Sequence, residues 1–345
     1  MSEIRSTLGR IAAGMDLPLD EMRFAMGHMI DGRLSAQETA FLLTGLHRKG
    51  ETVAEIVGAA EAMRARMTSI HTRRHDTLDT CGTGGDRSGT FNISTAAALV
   101  VAAAGVAVAK HGNRSVTSKS GSADVLAEFG VNLDAGLDCV EQCLDELGIG
   151  FCFAPLFHES MRHVAAVRRQ LGFPTIFNLL GPLTNPAKAP FQVIGVGDTE
   201  RRRQIADALA SLGTRHAVVV CGEDGLDEVT LSGTTHISEV RQDPDDPARC
   251  IVKDTAWKPE DFGIRSQAID SLRVANPAES ASVIRQLLEG RPGAARDIVL
   301  LNAAAALWVA GKRGTLAESA ILAAEAIDRR DALQLLDRLA RRTHA

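Results

Sequence analysis

Apolar and polar positions along this chain follow two different periods, and the change from one to the other divides it. Up to residue 72 only helical spacing occurs, as in Phe41, Leu42 and Leu46 and again in Val53, Ile56, Val57 and Ala60. Ser35-Ala36-Gln37-Glu38 and Thr52-Val53-Ala54-Glu55 each match a capping box, so each predicts the start of a helix. From Thr77 onward, short runs of strand length alternate with helical stretches; the clearest strands are Val106 to Ala109, Gly150 to Phe153, Phe191 to Val196 and Ala217 to Cys221. Such alternation predicts an α/β unit with a mainly parallel sheet covered by helices. The turn formers in Asn178-Leu179-Leu180-Gly181-Pro182-Leu183-Thr184-Asn185-Pro186 predict a crossover between the two units. Residues from Pro277 onward read as alanine-rich helices ending in a frayed basic tail, Arg338 to His344, and Asp243 to Pro247 as a solvated loop.

At 345 residues the chain is longer than a usual single domain, which agrees with two units. Hydrophobic residues make up 45%, yet no apolar run reaches the roughly 18 residues of a membrane span. The start, Met1 to Arg10, is polar and lacks the apolar segment of a signal peptide. Six cysteines (Cys81, Cys139, Cys143, Cys152, Cys221, Cys250) show no CxxC spacing and read as reduced cytosolic thiols, so a cytoplasmic location is expected. Cys139 and Cys143 share a helix face, but a zinc site would need two more ligands beside them. A net charge of −5, an aromatic content of 4% and the absence of tyrosine argue against a nucleic-acid partner.

The richest stretch chemically is Leu78-Asp79-Thr80-Cys81-Gly82-Thr83-Gly84-Gly85-Asp86, followed by Asn92-Ile93-Ser94-Thr95 and an apolar run from Ala96 to Val108 that reads as a capped helix. Glycines let backbone N–H groups converge on an anion, and a helix N-terminus adds its positive dipole end to the same place. A purely structural glycine turn has the same signature. Dinucleotide and ATP loops fit poorly: Arg87 stands where GxGxxG needs its last glycine, and no lysine follows Gly89 as a Walker loop requires.

A second polar loop, Lys110 to Ser122, follows a predicted strand and should open onto the same crevice, since ligands of open α/β sheets sit beyond the carboxyl ends of strands. Its lysines and hydroxyls suit a polyphosphate or phosphosugar, although an ordinary serine-rich surface loop also looks like this. Asp227-Glu228 follow another strand through a Gly222 to Gly225 turn; next to a phosphate site such a pair suits magnesium, and alone it reads as a solvated loop. Arg162, Arg168 and Arg169 lie on a predicted helix from His158 to Arg169, either as a fork for a substrate carboxylate or as a basic solvent face. His111, His158 and His163 have no evident serine or cysteine partner, so a covalent mechanism is unsupported and no general base is assigned.

In order and spacing, DTCGTGGD at 79–86, NIST at 92–95, KHGNRSVTSKSGSADVL at 110–126, FAP at 153–155, TIFNLLGPLTNP at 175–186 and DE at 227–228 resemble the anthranilate phosphoribosyltransferase family of tryptophan biosynthesis over nearly the whole chain. The resemblance implies the nucleoside phosphorylase/phosphoribosyltransferase type of fold. It divides the chain into a small helical domain, 1–72 joined by helices within about 160–188, and a large α/β domain, 73–159 with 189–345. It further implies a homodimer formed through the helical domains. The implied reaction moves the phosphoribosyl group from phosphoribosyl pyrophosphate (PRPP) to the amine of anthranilate with Mg2+ as cofactor.

By the same resemblance, PRPP is held by Gly82, Gly85, Asp86, Thr90, Asn92, Ile93, Ser94 and Thr95. Lys110, His111, Gly112, Asn113, Arg114, Ser115, Val116, Thr117, Ser118 and Ser122 close over it. Anthranilate meets Gly82, Asn113 and Arg168, and the metal meets Ser94, Asp227 and Glu228. Two departures stand out: Glu159 follows His158 where many members have proline, and Met161 replaces an aromatic residue. The rival readings are a pyrimidine nucleoside phosphorylase, whose KHSTGGVGD-like loop is absent, and a noncatalytic nucleic-acid-binding paralogue, which should lose the acidic pair and gain a basic face. No membrane partner is expected, and association with an anthranilate synthase is not determined by the sequence.

Overall fold

The computed structural model describes residues 2–86, 88–115 and 120–345. Four helices, α1 (Ser2–Ala12), α2 (Leu19–Ile30), α3 (Ala36–Lys49) and α4 (Val53–Arg64), form the N-terminal unit. Both expected capping boxes are present at the starts of α3 and α4. Of the apolar stripe read from the sequence, Leu42, Leu46, Ile56, Val57 and Ala60 are buried, with Met22, Met26 and Leu43 beside them, whereas Phe41 is 46% exposed and lies off the packed face. Glu55 does more than cap its helix: wholly buried, it accepts the Leu17 N–H at 2.9 Å and pairs with Lys49 Nζ at 2.6 Å, tying the α1–α2 and α3–α4 connections together.

A seven-stranded sheet follows, made of β1 (Leu78–Thr80), β2 (Val108–Gly112), β3 (Ile149–Phe153), β4 (Phe191–Gly195), β5 (His216–Gly222), β6 (Thr235–Gln242) and β7 (Cys250–Trp257) in the order β3-β2-β1-β4-β5-β6-β7. β1 to β5 run parallel, while β6 and β7 are antiparallel additions. All four strands expected from periodicity exist, with ends displaced by up to a few residues. β6 and β7 went unread because they alternate charged residues such as Glu239, Arg241, Lys253 and Asp254, as befits a solvated sheet edge.

The remaining helices are α5 (Ile93–Ala103), α6 (Ser122–Glu128), α7 (Leu137–Leu147), α8 (Ala154–Phe157), α9 (Arg162–Leu171), α10 (Phe177–Leu180), α11 (Thr199–Leu212), α12 (Pro277–Leu288), α13 (Ala294–Val309), α14 (Leu316–Asp328) and α15 (Asp331–Arg342). One core joins α5, α12, α13, α14 and α15 to one face of the sheet; a second joins α9, α10 and α11 on the other face to the N-terminal helices. Three expectations need correction. The helix in the Ala96 to Val108 run stops at Ala103, because Gly105 turns the chain and Val108 opens β2. The segment from His158 to Arg169 is broken: a short 3-10 turn at Glu159–Met161 precedes α9. The basic tail is not frayed up to Arg342, since Leu336 and Leu339 are buried and hold α15 against the core.

Replacing Glu55 with alanine leaves Lys49 with only Asp16 and the Gly50 carbonyl, and takes the buried acceptor from the Leu17 N–H. Equilibrium denaturant unfolding is expected to show a loss of about 3 kcal/mol, against about 1 kcal/mol for Thr52→Ala, which removes only the cap.

Candidate active site

Chain order places a topological switch point between β1 and β4, where connections leave the sheet in opposite directions. The glycine loop after β1 crosses that point, and the Thr83 N–H donates to the Gly195 carbonyl at the end of β4 at 2.8 Å. The acidic loop after β5 reaches the same place. A methyl group on Gly82 would sit 3.0 Å from Asp227 Oδ2, and one on Gly195 would overlap the Asp227 carbonyl, so both positions are held to hydrogen by close approach. Gly85, at φ 87°, supplies a conformation that side chains rarely adopt. Asp86 then turns back and shares a hydrogen bond with Asp227.

Beside the glycine loop, α5 begins as expected, with Asn92 Oδ1 accepting the Thr95 N–H at 3.1 Å and the Thr95 hydroxyl. Thr90 bridges to Arg273, and the Asn92 N–H donates to Ser280 Oγ at 2.9 Å, so the C-terminal segments brace the approach to this helix. Lys110, only 3% exposed, comes in from β2. Its Nζ donates to the Thr80 carbonyl at 2.6 Å and to Ser94 Oγ at 3.3 Å. Lys110 thus ties the end of β1 to the first turn of α5, and Asn92 Nδ2 donates to the Ser120 carbonyl at 3.4 Å.

The electrostatics are those of crowded acids. Burial, then the neighbouring Asp86, raises Asp227 to about 8. Burial and Asp227 likewise push Glu228 well above the ordinary carboxylate range, although Lys110 and the Ser94 N–H favour its anion. Such groups ask for a cation. Among the described residues, however, only Asp79, Cys81 and His111 bring three potential ligand atoms within 4.8 Å of one another. That cluster is already engaged: Asp79 Oδ1 accepts the His111 N–H at 3.0 Å and Oδ2 accepts Asn185 Nδ2 at 2.8 Å. Asp227 and Glu228 belong to no such cluster; two adjacent carboxylates alone are the partial ligand set of an ion like magnesium, which keeps water and takes substrate phosphate oxygens.

The chain matches the model of the glycosyl transferase family a/b domain over residues 74–333 and that of the helical bundle domain over residues 5–67. It is 48% identical over 341 residues to the anthranilate phosphoribosyltransferase of Symbiobacterium thermophilum, covering 99% of this chain and 98% of that one. This chain belongs to the anthranilate phosphoribosyltransferase family. The solved anthranilate phosphoribosyltransferase of Thermus thermophilus superposes with a TM-score of 0.90 at 40% identity, over 98% of this chain and 99% of that one. The Saccharomyces cerevisiae enzyme in complex with PRPP and Mg superposes with a TM-score of 0.88 at 25% identity, over 99% and 98%.

Around the remaining family motifs the residues fall into two groups. The rings of His111 and His158 lie tilted at 48° with centroids 5.2 Å apart, and among the described residues the buried Nε2 atoms of both have no hydrogen-bond partner. Burial lowers them to about 3 and about 4, so both are neutral. Gly112 packs tightly on Ser122 and Phe151. Asn113 accepts Ser122 Oγ on its carbonyl at 3.4 Å, while Arg114 and Ser115 are tied to Asp124. Val116, Thr117 and Ser118 lie outside the described residues.

Arg168 is half-buried over the Phe177 ring at 5.1 Å and donates to Asn178 Oδ1 at 3.4 Å; Arg162 and Arg169 are exposed. Of the expected arginine set, only Arg168 therefore has a built setting. Glu159 is exposed and pairs with Arg162 at 2.7 Å, and Met161 packs on the second core. Sequence reading missed Asn185 and Asn302, the latter the one polar residue within the apolar run from Ile298 to Val309; that isolation was the available signal.

A folded-state pKa raised at Asp227 means that the folded chain keeps a proton the unfolded chain has lost, so stability falls as pH rises toward about 8. His111 and His158 act in the opposite sense, but only below about pH 6.5. A cation bound at the acidic pair competes with that proton. Mg2+ is therefore expected to raise the melting temperature more at pH 8 than at pH 6.5 in a thermal-shift assay, and Asp227→Asn to remove the difference. Equal increments at both pH values would place the cation elsewhere.

Proposed function

We propose that this chain transfers the 5-phosphoribosyl group from PRPP to the amine of anthranilate, giving N-(5-phosphoribosyl)anthranilate and pyrophosphate in tryptophan biosynthesis. The observation that carries it is the meeting of the glycine loop, the start of α5 and Lys110 with Asp227 and Glu228 at the switch point. Gly82, Gly85, Asp86, Thr90 and Asn92 to Thr95 bind PRPP, and Lys110 to Ser118 with Ser122 close over it. Ser94, Asp227 and Glu228 hold magnesium, which when bound offsets negative charge on the diphosphate.

Lys110, the backbone N–H groups of the glycine loop and the N-terminal end of α5 stabilise charge as the C1–O bond to pyrophosphate breaks. The attacking aniline nitrogen is a neutral nucleophile, and the neutral imidazoles of His111 and His158 put no competing positive charge beside it. Orientation by Gly82, Asn113 and Arg168 then does most of the work, the guanidinium pairing with the anthranilate carboxylate. The helical domain is taken as 1–72 with 160–188, the α/β domain as 73–159 with 189–345. Two copies pair through the helical domain, in the cytoplasm.

Loss of anthranilate fluorescence on mixing with PRPP and Mg2+ tests the assignment. Wild-type turnover abolished by EDTA and by Asp227→Ala/Glu228→Ala is expected; folded wild type that turns nothing over would end it. In the same assay Arg168→Ala is expected to raise KM for anthranilate about ten-fold or more, with KM for PRPP nearly unchanged.

A further inference from the structure

Asp227 and Glu228 hang between two anchors of different origin. One anchor is the loop's own: the Gly222 N–H donates to the Leu226 carbonyl at 2.9 Å, and Asp224 accepts the Leu226 N–H at 3.1 Å and, from beyond the acidic pair, the Thr230 and Ser232 hydroxyls at 2.6 Å each. The other anchor, on the residue next to the pair, comes from outside the loop. Asn302, on α13 and 2% exposed, accepts the Val229 N–H on Oδ1 at 2.9 Å and donates from Nδ2 to the Val229 carbonyl at 3.0 Å. Its remaining Nδ2 hydrogen reaches the Ile298 carbonyl one turn back, at 2.9 Å, which fixes the carboxamide on its own helix. One side chain thus grips both backbone groups of the residue that follows Glu228, as a neighbouring strand would.

The grip has a job that apolar packing alone would not do. Val229 directly follows Glu228, and Gly82 and Gly195 press on Asp227 from the other side, so the place of the Val229 peptide sets where both acids stand. We propose that Asn302 is a positioning residue for the cation site, holding Val229 so that Asp227 and Glu228 stay converged before metal and substrate arrive. This rests on the magnesium role given to the acidic pair. It acts as an outer-shell partner does, by orienting ligands it does not itself belong to.

The test is Mn2+ binding to the full chain without substrates, read from the loss of the free-ion EPR signal, with Asn302→Leu, Leu301→Ala and Asp227→Ala/Glu228→Ala beside wild type. Leu301 is fully buried next to Asn302, and its truncation weakens the same helix while leaving the two Asn302–Val229 hydrogen bonds in place. Asn302→Leu is expected to weaken Mn2+ about 10–100-fold, with activity recovering at high Mg2+, while Leu301→Ala lowers the melting temperature but binds Mn2+ as wild type does. Equal Mn2+ affinity in Asn302→Leu and wild type, or equal weakening in Asn302→Leu and Leu301→Ala, would overturn the positioning role. Wild-type affinity in the double acidic variant would overturn the magnesium reading beneath it.

Discussion

Asp79 sits near the end of β1 with no exposure to solvent, and its carboxylate takes one N–H from His111 on β2 and one from the Asn185 amide. Asn185 also donates to the Ala109 carbonyl at 2.8 Å, so one buried acid joins β1, β2 and the crossing segment that arrives from α10. Burial raises Asp79 to about 6, with Lys110 and these hydrogen bonds pulling the other way. One residue later, the Thr80 carbonyl receives Lys110. The direction in which the chain leaves β1, and with it the aim of the glycine loop, depends on this lock. Its neighbours Cys81 and His111 look like metal ligands by distance, yet the lock uses the carboxylate that a metal would need.

Beyond the lock, the molecule gathers three acids where a soluble domain would ordinarily separate them. The raised pKa values of Asp227 and Glu228, a lysine 3% exposed against the Thr80 carbonyl, and glycines pressed against Asp227 are arrangements that cost stability in the free protein. A divalent cation together with a polyphosphate supplies the missing charge of both signs. The surrounding fold resists relaxation: Asp224 ties Leu226 to Thr230 and Ser232 across the acidic loop, and Asn302 of α13 holds Val229. Preorganisation of this kind suits a reaction in which a charged group leaves and the attacking nitrogen needs little help.

Much of this was readable from sequence, for reasons that differ by element. Capping boxes at Ser35 and Thr52 and the Asn92 cap depend on residues three apart, so local spacing suffices to find them. The glycine loop and Asp227-Glu228 were visible because their residue types are unusual for packing. β6 and β7 stayed hidden because polar and charged residues interrupt the apolar period in β6, and β7, the edge strand, is exposed along most of its length. Asn185 and Asn302 were missed for another reason: each owes its role to partners 106 and 73 residues away, to which no local pattern points. The Arg162, Arg168 and Arg169 set looked uniform along the chain, but burial against Phe177 separates Arg168 from the others.

A crystal structure of the full chain soaked with PRPP and Mn2+, with anomalous scattering used to locate the ion, addresses the centre of this picture. Density for manganese between the diphosphate and the carboxylates of Asp227 and Glu228, with Asp79 still bonded to His111 and Asn185, is the expected result. Manganese seated on Asp79, Cys81 and His111, with the acidic pair free of metal, would contradict it.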